Sequence, residues 1–247
     1  APRARRLRSA AGSAAAAVLP LAALLLPVPP VSSPSSDGDA GSVGRWSLGP
    51  QRAQAQRAAA RPFTSAERRR LARGELVMRS DEKERDGRLL IGGASWQRIR
   101  LPPAALWKAT NDVPRYHRLL PEVRQARVVR RRGSHRKLVF LQHSQGPITA
   151  EYHLWFTQDD EDRIARFRVD RNHPGTIRAG WGFLAVYPYR NGHSVLSFGI
   201  EADIGRGLLQ SLVRDQVHEW MLRVPQTVKW YAEGSGRRRY LRLAGLR

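Results

Sequence analysis

Between residues 94 and 202 the chain alternates, turns to helical spacing, and then holds alternation through six consecutive segments. Side chains on a strand point to opposite faces in turn, so such alternation predicts a sheet with one buried face. The six segments are 124–131, 136–143, 147–157, 163–170, 176–187 and 194–202, and a shorter one at 94–101 precedes them. Turn residues stand at each junction: Gly133-Ser134, Ser144-Gln145-Gly146, the acidic run 159–162, Asn172-His173-Pro174-Gly175, and Asn191-Gly192. Connections this short join antiparallel neighbours, so the segments predict a meander.

The pattern also assigns the faces. In 147–157, Ile148, Ala150, Tyr152, Leu154 and Phe156 share one face, opposite Thr149, Glu151, His153 and Thr157, with Trp155 the exception. Ala165, Phe167 and Val169 oppose Arg166, Arg168 and Asp170, and Leu196, Phe198, Ile200 and Ala202 oppose Ser197, Gly199 and Glu201. A sheet of this kind needs cover on a single side. The cover is a long helix after Gly205 and Gly207, on which Leu209, Val213, Val217, Trp220, Val224, Val228 and Tyr231 form one apolar stripe, kinked by Pro225. Between the first strand and the meander, Pro103 opens a helical stretch carrying Ala105, Leu106, Trp107 and Ala109, and a second short helix over 113–120 ends at Pro121. The fold class is α+β.

Ahead of this region, Arg3, Arg5, Arg6 and Arg8 precede an apolar stretch at 10–26 and a Pro/Ser-rich break, the order of a signal peptide. Pro20 and the prolines at 27–30 interrupt the run, which argues against a membrane-spanning anchor. The expected division is a signal peptide at 1–36, a flexible linker at 37–61, an N-terminal extension at 62–93, the folded domain at 94–234 and a basic, frayed tail at 235–247. Export to the periplasm or outside the cell follows from that reading. Thr64 to Glu67 has the form of a helix N-cap, with Gly74 as the stop, and short strands are expected at 75–79 and 89–91 around a charged turn at 81–87.

Strand, two short helices, six antiparallel strands and a long C-terminal helix is the segment order of the START-like, or SRPBCC, helix-grip fold. The local sequence agrees: Leu101-Pro-Pro-Ala-Ala-Leu-Trp107, Asn111-Asp112, Tyr116-His-Arg-Leu-Leu-Pro121 and the glycine-flanked Ile204-Gly-Arg-Gly-Leu208 resemble its polyketide cyclase/dehydrase and coenzyme Q-binding branch. The resemblance implies a curved antiparallel sheet of about seven strands wrapped round the C-terminal helix, with a cavity between them for a lipid, sterol, quinone or polyketide. Its expected lining is Tyr152, Leu154, Phe156, Phe167, Trp181, Phe183, Phe198 and Ile200 from the sheet, and Leu209, Val213, Val217 and Trp220 from the helix. Apolar walls with a few polar groups are what such ligands require.

Catalytic or metal chemistry finds little support. His143, His153, His173, His193 and His218 have no His-x-x-x-His spacing and read as scattered surface residues, and the run 159–162 reads as a solvated turn. There is no cysteine, no nucleophile elbow and no phosphate-cradling glycine loop. No cofactor is expected. If the chain were a cyclase, Tyr152, His153 or Arg178 would supply the polar groups, with His153 predicted to face outward. The 43 Lys+Arg against 21 Asp+Glu suggest acidic partners, yet no nucleic-acid-binding motif accompanies them. Lys83, Lys108, Lys137 and Lys229 are the only lysines, so the charge is arginine, and weak attraction to anionic lipid headgroups is the expected consequence. A non-enzymatic, exported carrier of a hydrophobic small molecule, lipid- or quinone-like, is the leading expectation, with a polyketide cyclase/dehydrase-like enzyme and a basic polyanion- or membrane-surface-binding protein as the alternatives.

Overall fold

The computed structural model describes residues 61–85, 88–145, 148–203 and 219–246. The predicted signal segment, most of the linker and residues 204–218 lie outside the described residues.

The expected capped helix is α1 (Ser65–Arg73). The Thr64 hydroxyl accepts from the Glu67 amide, the Glu67 carboxylate accepts from the Thr64 amide, and Gly74 ends the helix at φ 77°. Next come β1 (Val77–Arg85) and β2 (Arg88–Ile99), a hairpin far longer than the two short strands expected. Gly92 and Gly93 separate the strands expected at 89–91 and 94–101. In the structure β2 runs straight through them: Gly92 lies so close to the Ile200 carbonyl that no side chain fits there. The extension therefore joins the sheet.

After β2 follow α2 (Pro103–Thr110), a single 3-10 turn (Val113–Arg115), α3 (Tyr116–Leu119), and the meander β3 (Val123–Arg132), β4 (Arg136–Gln145), β5 (Ile148–Asp159), β6 (Ile164–Val169), β7 (Ala179–Tyr189) and β8 (His193–Asp203). The sheet is open, fully antiparallel and eight-stranded, in the order β1-β2-β8-β7-β6-β5-β4-β3. The strand beyond the expected seven is β1. At the β7–β8 turn Asn191 and Gly192 both take positive φ (58° and 68°), the conformation an Asn-Gly hairpin demands.

The C-terminal region differs from a single kinked helix. Residues 219–222 are helical, a turn intervenes at Arg223, and α4 (Val224–Glu233) begins anew with Pro225 in its first turn, where a missing amide costs nothing. The expected frayed tail is instead α5 (Arg237–Leu243). Its Tyr240 is fully buried and its hydroxyl donates to Asp112, which also pairs with Arg239 at 3.1 Å. One buried aromatic thus anchors a segment whose arginines made it look wholly solvated.

The main core lies on the inner face, where α2, α3, α4 and α5 contribute Leu106, Trp107, Tyr116, Val228 and Tyr240 against Val139, Leu154, Phe156, Leu196 and Phe198. The outer face is not bare, contrary to the single-sided cover expected. Leu71 of α1 packs there on Val77, Ala94, Trp96 and Val195, with Phe63 edge-on to Trp96 at 5.1 Å. Arg79 fixes this helix by pairing with Glu67 at 2.8 Å.

Candidate ligand-binding face

The register decides which nominated residues can meet on one wall. Directly paired residues of neighbouring strands share a face. Val139, Leu154 and Val169 form one inward row, and Lys137, Phe156, Phe167, Gly182 and Ile200 the next. Tyr152, Leu154, Phe156, Phe167, Phe198 and Ile200 therefore stand on the inner face as expected. Phe156 contacts Phe167 at 5.6 Å between ring centroids, and Phe167 stacks on Phe198 at 6.0 Å. Leu154, Phe156, Phe167 and Phe198 are buried, whereas Tyr152 and Ile200 remain half-buried.

Trp181 and Phe183 do not belong to this wall. Trp181 pairs with Arg168, itself opposite Trp155, and Phe183 pairs with Arg166 and Gly199, so both lie on the outer face. The physical reason is an exchange of glycines for aromatics. Gly182 turns its hydrogen inward because the Phe167 ring occupies its place, Cζ lying 2.5 Å from where a Cβ would stand. On the outside, the Phe183 ring covers Gly199 in the same way. Inward positions of β7 are thus Gly180, Gly182, Leu184 and Val186. Leu209, Val213 and Val217 fall outside the described residues.

Trp220 is described, and it leads to the polar part of the wall. Its ring meets His143 edge-on at 5.0 Å, and His143 in turn stacks on Tyr152 at 5.5 Å and 13°. The Tyr152 hydroxyl and His143 Nε2 are hydrogen-bonded at 2.7 Å, either partner supplying the proton according to the imidazole tautomer. His143, expected on the surface, is buried (8 % exposed), because it pairs with Ala150 on the inward side of the ladder. Burial pushes its pKa down to about 4 and pushes the Tyr152 phenol up. At neutral pH the pair is therefore an uncharged donor–acceptor unit set into an apolar wall.

Two further polar groups face inward. Ser95, opposite Phe198 in register, buries its hydroxyl completely with no hydrogen-bond partner among the described residues. Lys137 is 3 % exposed, its ammonium 5.9 Å from the Phe156 ring centroid and 3.5 Å from the Asn111 carbonyl just past α2. Burial lowers its pKa to about 8. Neither was foreseen, since a lone serine or lysine in an alternating segment carries no signal of direction stronger than the pattern itself.

His153 faces outward as predicted, stacked on His173 at 4.4 Å, and the Arg178 side chain is exposed, so neither joins the His143–Tyr152 pair. Among the described residues no three His, Asp or Glu side chains gather as a metal site.

Residues 99–190, from the end of β2 through β7, match the family model for polyketide cyclase / dehydrase and lipid transport. The match spans less than half of the chain and takes in the two short helices and the meander as far as β7. The chain is similar to a protein of Thermus thermophilus (18 % identity, covering 55 % of this chain and 92 % of that one, TM-score 0.48). It is also similar to the Zhui aromatase/cyclase of Streptomyces sp. R1128 (11 %, 63 % and 92 %, 0.43) and to a fragment of a STAR-related lipid transfer protein of Xanthomonas axonopodis (12 %, 65 % and 98 %, 0.45). No protein of curated function matches.

Proposed function

We propose that this START-like domain is a non-enzymatic carrier for a lipid- or quinone-like molecule, exported behind residues 1–36. The ligand's apolar body lies along Leu154, Phe156, Phe198 and Ile200, and one polar group, a carbonyl or hydroxyl, meets the His143–Tyr152 pair. The observation that carries this reading is the hydrogen-bonded His143–Tyr152 pair set into the apolar wall, where burial disfavours the charged form of both groups. General acid–base catalysis works best when the group titrates near the operating pH. An imidazole near 4 and a phenol pushed above its usual range are a weak base and a weak acid, so the pair orients a ligand better than it transfers protons. That weighs against the cyclase or dehydrase alternative.

The test is extraction and binding with the full chain. Organic extraction and mass spectrometry of purified protein should return a stoichiometric lipid or quinone. Decylubiquinone should quench tryptophan fluorescence, with Tyr152→Phe about 10-fold weaker, as expected for loss of a buried hydrogen bond worth ~1.4 kcal/mol. An empty extract together with no quenching would sink the carrier reading, and turnover of a polyketide substrate would replace it.

A further inference from the structure

The outer face of β3 to β6 carries a second, oppositely built cluster. Arg132 and Arg136 stand directly opposite each other on β3 and β4, and Arg168 on β6 stands directly opposite Trp155 on β5. The guanidinium carbons of Arg132 and Arg136 lie 5.3 Å and 4.5 Å from the Trp155 ring centroid, so two cations share one aromatic platform. Trp155 is only 8 % exposed beneath them, which explains why it breaks the apolar alternation of β5.

Like charges placed directly opposite on neighbouring strands are destabilising unless something offsets them. Among the described residues no carboxylate forms an ion pair with Arg132, Arg136 or Arg168. Asp170, the acid whose field reaches Arg136, is held by His173 at 2.5 Å, by the Asn172 amide at 3.3 Å and by a side-chain hydrogen bond from Trp155 itself, beside the arginines and not in an ion pair with them. Arg136 also buries its Nε with no hydrogen-bond partner. Burial, then Arg168, then Arg132, push the pKa of Arg136 down. Charges on an edge strand are a common guard against sheet-to-sheet pairing, and that accounts for Arg132 on β3. It does not account for Arg136 and Arg168, which sit on interior strands.

We propose that Arg132, Arg136 and Arg168, held around Trp155 on the outer face, form a binding site for a phosphate-class oxyanion. Planar guanidinium forks suit such an anion, and the aromatic platform fixes them before it arrives. The site is independent of the inner face and of what is bound there. Its anion is either free phosphate or the headgroup phosphate of an anionic lipid.

The test titrates the full chain with inorganic phosphate by calorimetry, and separately with vesicles of phosphatidylcholine containing or lacking phosphatidic acid. Arg136→Gln and Arg168→Gln should each weaken binding at least ~10-fold. Arg124→Gln, exposed elsewhere on β3, should change it less than ~2-fold. Arg132→Gln, at an exposed edge-strand position, should weaken binding in the same way and keeps the comparison open should Arg136→Gln fail to fold. Binding of phosphate assigns the free anion, and binding only of phosphatidic acid vesicles assigns the headgroup. No binding in either arm overturns the proposal. So does an equal loss in Arg124→Gln, or a DNA oligonucleotide that binds and loses affinity equally with every arginine removed, since either means diffuse charge.

Discussion

Protonation of His143 should cost the folded state stability over a defined range of pH. Its imidazole titrates near 4 in the folded protein because burial disfavours the charged form, against 6.5 in an open chain. Between those values the unfolded chain binds more protons than the folded one, so stability falls as pH drops from 6.5 towards 4 and levels off below. At a pH of about 4.5 the unfolded imidazole is almost fully protonated and the folded one mostly neutral. The span is about two units, which at ~1.36 kcal/mol per unit is a loss of about 2–3 kcal/mol. Carboxylates also titrate there, Glu67 above all, held at about 2 by its hydrogen bond to Arg79. Their contribution cancels when the native chain is compared with His143→Gln. Urea unfolding at a pH of about 7 and of about 4.5 should show the native protein losing ~2–3 kcal/mol more than the variant across that interval. Equal losses would mean that His143 protonates freely, and the buried neutral pair would have to be abandoned.

Gly182→Ala should destabilise by roughly 1–3 kcal/mol, since the new methyl would run into the Gly199 carbonyl and the Phe167 ring. A cost under ~0.5 kcal/mol in thermal unfolding would place residue 182 on the other face. Lys137→Met should raise stability at neutral pH by about 1–3 kcal/mol, because a charge that is 3 % exposed is replaced by an apolar chain of similar length. The sign with pH is fixed as well. The folded ammonium deprotonates near 8 and the unfolded one near 10.5, so the native chain should gain stability through that window while the variant does not. A native profile no steeper than that of Lys137→Met would show an ammonium reached by solvent.

The meander was legible because its turns and its alternation are local. Asn191-Gly192 dictates positive φ whatever surrounds it, and Ile148 to Phe156 alternate strictly enough to fix the direction of Tyr152, Leu154 and Phe156. What stayed hidden depends on partners distant in sequence. Gly92 is a break when read along the chain and a close approach when read across to Ile200. Trp181 and Phe183 are bulky and apolar, so a hydropathy reading turns them inward, yet the deciding fact is that Phe167, on another strand, already fills the inward side of Gly182. His143 failed for a related reason. Polarity suggested the surface, while register with Ala150 set it inside, where Tyr152 is hydrogen-bonded to its Nε2. Tyr240 lay among arginines that masked it.

Because successive residues of one strand serve opposite faces, each strand takes part in two electrostatic regimes. On β5, Tyr152 meets the neutral His143 inside, while Trp155 carries the crowded guanidiniums outside. On β6, Phe167 packs inward between Phe156 and Phe198, while Arg168 stands outward. A slip of one residue between β7 and its neighbours would drive Trp181 and Phe183 into the packed inner wall and turn Leu184 and Val186 out to the other face. The glycine–aromatic contacts oppose that slip from both sides, Phe167 in the place of a Cβ at 182 and Phe183 in the place of a Cβ at 199. Neither ring can move one position along without meeting a real side chain. Register, pinned by these contacts, is therefore what keeps the apolar inner wall and the basic outer face apart.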